Sequence, residues 1–428
     1  MKRNSITLYL SGIYFVLYFI FCFLFNINLI AQQDTDVVVI EHADSLSGFP
    51  IEGENARALI GHVRLRHGKT IMTCDRAIQY FTSKKVQMEG IVEVRDDTTR
   101  LVGSRGMYYS DSKIAEIYDR VFLEEPHTSL HAEYGKYFMN DRKAIFKKNV
   151  IVEDTTSILY ADELVYYRNE EKSIADGNVK LVNSKNGLTI FGGHFENFKK
   201  EKYSRITDQP RLIQVDTEQN GKNDTLVVVA KMLESFQDTI ERLIATDSVR
   251  ITRDSLDAEG GKCIYLTDLD SIILKQSPFI WYNSGSVDDT QVSGETIYIK
   301  LKKRRLETVY VRERAVAISR ADSIHTYRFN QLTGQEIVLH FVDDKIKQVD
   351  VNMTATSLYY LFDRGKGNGL NKSTGDQIRM TFIDGKIDKI NAISNIEGQY
   401  YPEKLVKNKE ANFNLPEFNW RERKSKKK

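Results

Sequence analysis

Cysteine is nearly absent from this chain of 428 residues, and the few present exclude the chemistry that cysteine usually signals. Of the three, Cys22 lies in an apolar run and follows Phe-Ile-Phe, not the small residues expected before a lipidated cysteine. Cys74 and Cys263 remain, so there is no C-x-x-C pattern and no disulfide framework; one bridge between the two stays open. A net charge of one sign is also missing. The formal charge is +2, and Lys and Arg alternate with Asp and Glu along the body, which excludes a dedicated nucleic-acid surface. Only Arg421–Lys428 is strongly basic, and it reads either as a solvated tail or as a contact for anionic lipid or nucleic acid. The motifs of phosphate loops, dinucleotide sites, nucleophile elbows and H-E-x-x-H metal helices do not occur. His127 and His131 stand four apart across an expected turn, where metal ligation is disfavoured. No cofactor is expected. Carboxylate pairs such as Asp96-Asp97 and Asp288-Asp289 fall in expected turns, so a polysaccharide-active β-helix enzyme is only an alternative.

One long apolar run is present. Residues 6–24 follow the positive start Met1-Lys2-Arg3-Asn4, and Ala31 offers a cleavage position, so residues 1–31 are expected to be an export signal. A retained membrane anchor is the alternative, since the run approaches the roughly 20 residues that span a bilayer. With no second such run, the remaining exported chain is expected to be soluble.

What the sequence has in abundance is repetition. Val63, Val92, Val121, Val150 and Val179 fall 29 residues apart, and Leu65, Val94, Leu123, Val152 and Leu181 follow at the same spacing. A second phrase recurs between them, as in Gly103–Tyr109, Ala132–Phe138 and Ala161–Tyr167. A fixed period of this size predicts a stacked array in which each unit packs only on its neighbours. The local period is two, as in Val92-Glu93-Val94-Arg95, so the units are strands with one apolar face. Three strands per unit are expected: the Val-x-Leu pair, the Ala/Gly-Asp-x-x-x-x-Tyr phrase and a third such as Lys85–Met88. Ile71, Ile78, Tyr80, Met107 and Tyr109 are counted with Val63, Leu65, Val92 and Val94 as inward. Gly61, Gly90 and Gly177 stand two residues before the valine, where a positive φ would suit a bend. Asp75, Asp162, Asp322 and Asp376 recur within the phrase and are expected to bond nearby backbone at strand entrances.

The array is expected to hold ten or eleven units. It divides into regular repeats over 36–198, a loop or inter-domain insertion over 199–225, a looser repeat region over 226–395, and a loose basic tail over 396–428. Open ends of such a stack present unpaired backbone groups, which allow self-association or another sheet to add by strand pairing.

The units "GHVRLRHGKTIMTCDRAIQYFTSKKVQMEGIVEVRDDTTRLVGSRGMYY" and "NVIVEDTTSILYADELVYYRNEEKSIADGNVKL" resemble the OstA-like (LptA/LptD N-terminal) family, best from Asp36 to Phe198 and more loosely to Ile393. The resemblance implies an all-β, repetitive two-sheet β-jellyroll, solenoid-like and here extended or duplicated. It implies a periplasmic bridge that moves lipopolysaccharide, or a related envelope lipid, toward the outer membrane without covalent chemistry. Its implied partners are an Lpt-type inner-membrane complex, which supplies the energy, and an outer-membrane translocon. Val63, Leu65, Val92, Val94, Val121, Leu123, Val150, Val152, Val179 and Leu181 match the family's inward slots and would form the lipid-binding wall. A non-catalytic envelope scaffold with a tightly closed core is the competing reading.

Overall fold

The computed structural model describes residues 37–423, apart from short segments at 97–98, 126, 184–186, 218–222, 254–255, 284–289, 303–304, 322–323, 344 and 384–385. The expected export signal, Asp322, Asp288-Asp289 and the last five residues lie outside the described residues. No helix among the described residues is long and apolar enough to cross a membrane.

Alternating apolar and polar residues produce one antiparallel ladder of 28 strands. Each 29-residue repeat contributes two long strands, not three. Lys85–Asp96 contains both the Lys85–Met88 segment and the Val92-x-Val94 pair, and Thr99–Tyr109 contains the whole second phrase. The expected first and third strands are thus one strand, bent where its pairing register shifts between Glu89 and Val92. Every pass across the ladder bends at this level. Six passes are interrupted there, for example Tyr203–Thr207 and Arg211–Thr217, so the 28 strands make 22 passes, or eleven two-pass units. The two halves of each pass lie in two layers that share the line of corners. Buried residues from both halves, such as Met88 and Val92, belong to one apolar cluster between the layers.

The corner has a local cause. Consecutive residues adopt left-handed backbone there: Gly61-His62, Asp119-Arg120, Lys148-Asn149 and Gly177-Asn178, then Asp247-Ser248, Glu313-Arg314 and Met353-Thr354. The expected positive φ before the valines is therefore present, and non-glycine residues meet it as well. Glycine leaves room for the aspartate at two of the corners that one covers. A Cβ on Gly90 would lie 2.1 Å from Asp75 Oδ2, and one on Gly177 would lie 2.4 Å from Asp162 Oδ2. These aspartates reach across to the next pass and do not act at strand entrances. Asp75 accepts the Ile91 amide at 3.2 Å, Asp162 the Asn178 side chain at 2.8 Å and Asp376 the Asn395 side chain at 2.9 Å.

Alternate passes turn the corner with different numbers of residues. Between Glu54–His67 and Thr70–Tyr80, Gly61 and His62 oppose the single residue Asp75. The odd count reverses which alternate residues face inward in the second strand. Met72, Cys74 and Ala77 join the core cluster, whereas Ile71, Ile78 and Tyr80 do not. The same reversal removes Met107 and Tyr109 from the interior in favour of Tyr108. Uniform extrapolation of period two misses this flip.

Two further expectations change. The stretch 199–225, expected as a loop, holds the strands Tyr203–Thr207 and Arg211–Thr217 and begins Asn223–Val229. Pro210 follows the left-handed pair Asp208-Gln209 at the corner, where the ladder is already interrupted, so it breaks nothing. Pairing continues through this stretch on both sides, from Leu188–Phe198 to Arg242–Arg253. The expected loose tail is also ordered as far as Arg423. After the strand Glu397–Tyr401 come a helical turn at Glu403–Val406 and a 3-10 turn at Glu410–Phe413.

This C-terminal segment is a strap. It crosses the outer side of one layer, back toward the middle of the chain. Val406 and Leu415 pack with Leu358, Tyr360 and Leu370. Gln331 holds the strap by donating to Asn414 at 2.6 Å and accepting the Leu415 amide at 2.8 Å. Gln291 does the same with the backbone of Arg421, and Trp281 donates to the Arg421 carbonyl. Arg423 pairs with Asp257 at 2.6 Å. Gln331, Gln291, Trp281 and Asp257 fall on one cross-strand row, so the strap follows a track set by strand register. Arg328, 1 % exposed, is fixed between Glu403 at 2.7 Å and Glu410 at 3.1 Å.

Candidate functional site: the space between the layers

The ten expected wall residues all face the inter-layer cluster, but they differ in depth. The five valines next to the corner are sealed: Val63, Val121, Val150 and Val179 are 1 % exposed and Val92 0 %. The second set lies one step nearer the side away from the corners, here called the mouth. Along the array its exposure rises. Leu65 is 0 % exposed, Val94 2 % and Leu123 8 %, and Val152 and Leu181 are only partly buried. The partly buried inner surface continues through Leu188, Ile190, Leu226, Val228 and Leu256 in the same layer. Tyr166, Leu243 and Ile272 face it from the other layer. The wall thus begins as a packed core and becomes a stretch of accessible apolar surface.

The change has a counterpart at the mouth, where polar side chains join the two layers in the first part of the array. Buried His67 Nδ1 lies 2.6 Å from the Tyr108 hydroxyl. Tyr137 donates to Asp96 at 3.4 Å, and Arg168 approaches Glu125 at 4.0 Å. Arg168 also hydrogen-bonds Tyr137. Burial, with Asp96 as the next cause, raises the Tyr137 pKa above the ordinary phenol value; burial and then Glu125 do the same for Tyr166. The first two contacts join residues 41 apart, and each links passes three steps apart in the ladder. Such a constant stagger is the geometry of two layers coiling over one another. Sequence reasoning missed these residues. Their signal is the same 29-residue period, seen in His67, Asp96 and Glu125 and again in Tyr108, Tyr137 and Tyr166.

His67 is therefore a buried cross-layer contact, while nearby Arg64 pairs with Glu41 at 2.8 Å. Among the described residues no group of three or more His, Cys, Asp or Glu could hold a metal ion. His131 is exposed and its ring packs on Phe122 at 4.9 Å. Cys74 and Cys263 are free and buried, and burial pushes both thiols up to about 12. Neither is a poised nucleophile, because the thiolate is the reactive form.

The two ends of the ladder differ from its interior. Among the described residues, Val39–His42 and Ser45–Ile51 of the first pass pair only with Glu54–His67, and Leu46 and Phe49 are 57 % and 37 % exposed. At the last pass, again among the described residues, Lys386–Ile393 and Glu397–Tyr401 pair only with Lys366–Ile383, and Ile396 and Tyr400 are 59 % and 50 % exposed.

Comparison with known families gives two overlapping matches. The family model described as OstA-like protein matches residues 35–189. The model described as LptA/(LptD N-terminal domain) LPS transport protein matches residues 128–305. No curated protein matches the chain. The second match contains most of the partly buried inner surface.

Proposed function

We propose that this chain, which belongs to the OstA-like family by its matches at residues 35–189 and 128–305, conducts lipopolysaccharide, or a related envelope lipid, through the space between its two layers. The observation that carries this reading is the continuous, partly buried apolar inner surface from Val152 to Ile272. An acyl chain needs such a surface more than it needs any single residue, since each CH₂ withdrawn from water is worth about 0.8 kcal/mol. The reaction is a transfer with no covalent step. Energy comes from an inner-membrane complex and delivery is to an outer-membrane translocon, with the chain bridging them in the periplasm. The two terminal passes, each paired on one side only, suit strand addition to those partners or to a second copy. The pairing that runs through 199–225 supports one continuous array instead of two separate domains.

Photocrosslinkers at Val152 and Leu181, placed in cells that make lipopolysaccharide, test the proposal. Capture of the lipid is expected there and not from the outward neighbours Glu153 and Lys180. Capture from the outward pair alone, or from neither pair, sinks the interior route. The scaffold reading draws support from the sealed Leu65 and Val94, and it predicts no lipid at any of the four positions.

A further inference from the structure

The cross-layer contacts at the mouth obey the repeat, and then stop. The first three rungs pair His67 with Tyr108, Asp96 with Tyr137, and Glu125 with the neighbourhood of Tyr166 and Arg168. Continuing the period puts Asp154 opposite residue 195. There the tyrosine is replaced by Phe195, which has no hydroxyl, and Asp154 accepts from Thr156 and Ser157 of its own hairpin instead. The partly buried wall residues begin at this same point, with Val152 and Leu181. Further along, an aromatic contact joins the layers again: Tyr282 meets Phe341 edge-on at 5.3 Å, also three passes apart.

We infer that these rungs are a periodic latch, which closes the mouth over the first part of the array, so that lateral access to the interior begins beyond the Glu125–Arg168 rung. The rungs are hydrogen-bonding groups partly or wholly withdrawn from water, where each unmade bond leaves a costly polar atom. Beyond them the partly buried inner residues continue past the Tyr282–Phe341 contact, through Leu301, Leu306, Leu332 and Ile346. A lipid acyl chain would enter or leave sideways beyond the latch, which shuts the first part of the array to it. That consequence for lipid rests on the proposed function; the latch itself does not.

The test therefore uses no lipid. Single cysteines replace Val94, Leu181 and Val63 in the full chain, and the rate of maleimide labelling is measured. Cys22 is replaced by Ser throughout, and native Cys74 and Cys263 are silent because they are buried. Leu181→Cys is expected to label at least tenfold faster than Val94→Cys. Replacing Tyr108, Tyr137 and Tyr166 together by Phe removes the hydroxyls while keeping the rings. It should raise labelling at position 94 about tenfold and leave Val63→Cys, beside the corner, unchanged. The converse variant, Phe195→Tyr, supplies Asp154 with a partner and should slow labelling at position 181. Unchanged rates at 94 and 181 overturn the latch. So does an equal rise at 63, which would mark general loosening. Failure of lipid crosslinking with these labelling changes intact would count against the proposed function and not against the latch.

Discussion

Two regions of this molecule use the same bent strand and close it by different means. In the first, up to about Tyr167, the layers are joined from inside: small polar rungs cross the mouth and the outer faces carry exposed ion pairs such as Arg105–Asp119. In the second, from Asp257 to Leu370, one layer is fastened from outside by the strap, which buries Leu358, Tyr360 and Leu370 beneath Val406 and Leu415. Between them lies a stretch with neither device fully in place, and there the inner wall is accessible. A repeated unit can therefore give regions of unlike openness when side chains at its margins change while its corner and its valine do not.

The contrast can be broken most severely at the strap. Arg328→Ala would leave Glu410, 7 % exposed, without its ion-pair partner. Removing one member of a buried pair costs about 3–5 kcal/mol, and the loss should appear in chemical denaturation as a separately destabilised C-terminal region. An unchanged transition would mean that the strap contributes nothing to that layer. Next comes the wall itself, where one slot of the repeat can be compared in two settings. Leu65→Ala, at a fully buried site, should cost roughly 2–5 kcal/mol, whereas Leu181→Ala should cost about half of that or less, since part of its surface already meets water. Equal costs in matched denaturation curves would contradict the difference in openness. The corner should give the smallest effect. Gly90→Ala forces a Cβ against Asp75 at a φ of +99° and should cost about 1–3 kcal/mol. Adding Asp75→Ala should recover part of this loss, because the clash disappears while the backbone strain stays. No recovery would show that the aspartate is not the obstacle.

Much of the fold was legible in the residues. The 29-residue ladder of valines identified the array, and Gly61, Gly90 and Gly177 marked its corners, where a Cβ would collide with the facing aspartate. The ten wall residues all lie in or against the apolar cluster. The neighbouring phrase was read on the wrong face at Ile78, Met107 and Tyr109, since a one-residue difference in corner length reverses the alternation without altering composition. The strap was illegible for another reason. Residues 402–423 have no period of their own, and their order comes from polar contacts with distant strands, at separations of 75 to 166 residues.

The sequence alone determined the local device: strands of alternating residues, a bend every half repeat and an apolar inner face, all of which depend on groups near one another in the chain. Only the tertiary structure decided where that face is sealed. Closure depends on which side chains meet across two layers three passes out of step, and a period read along one strand carries no information about that offset.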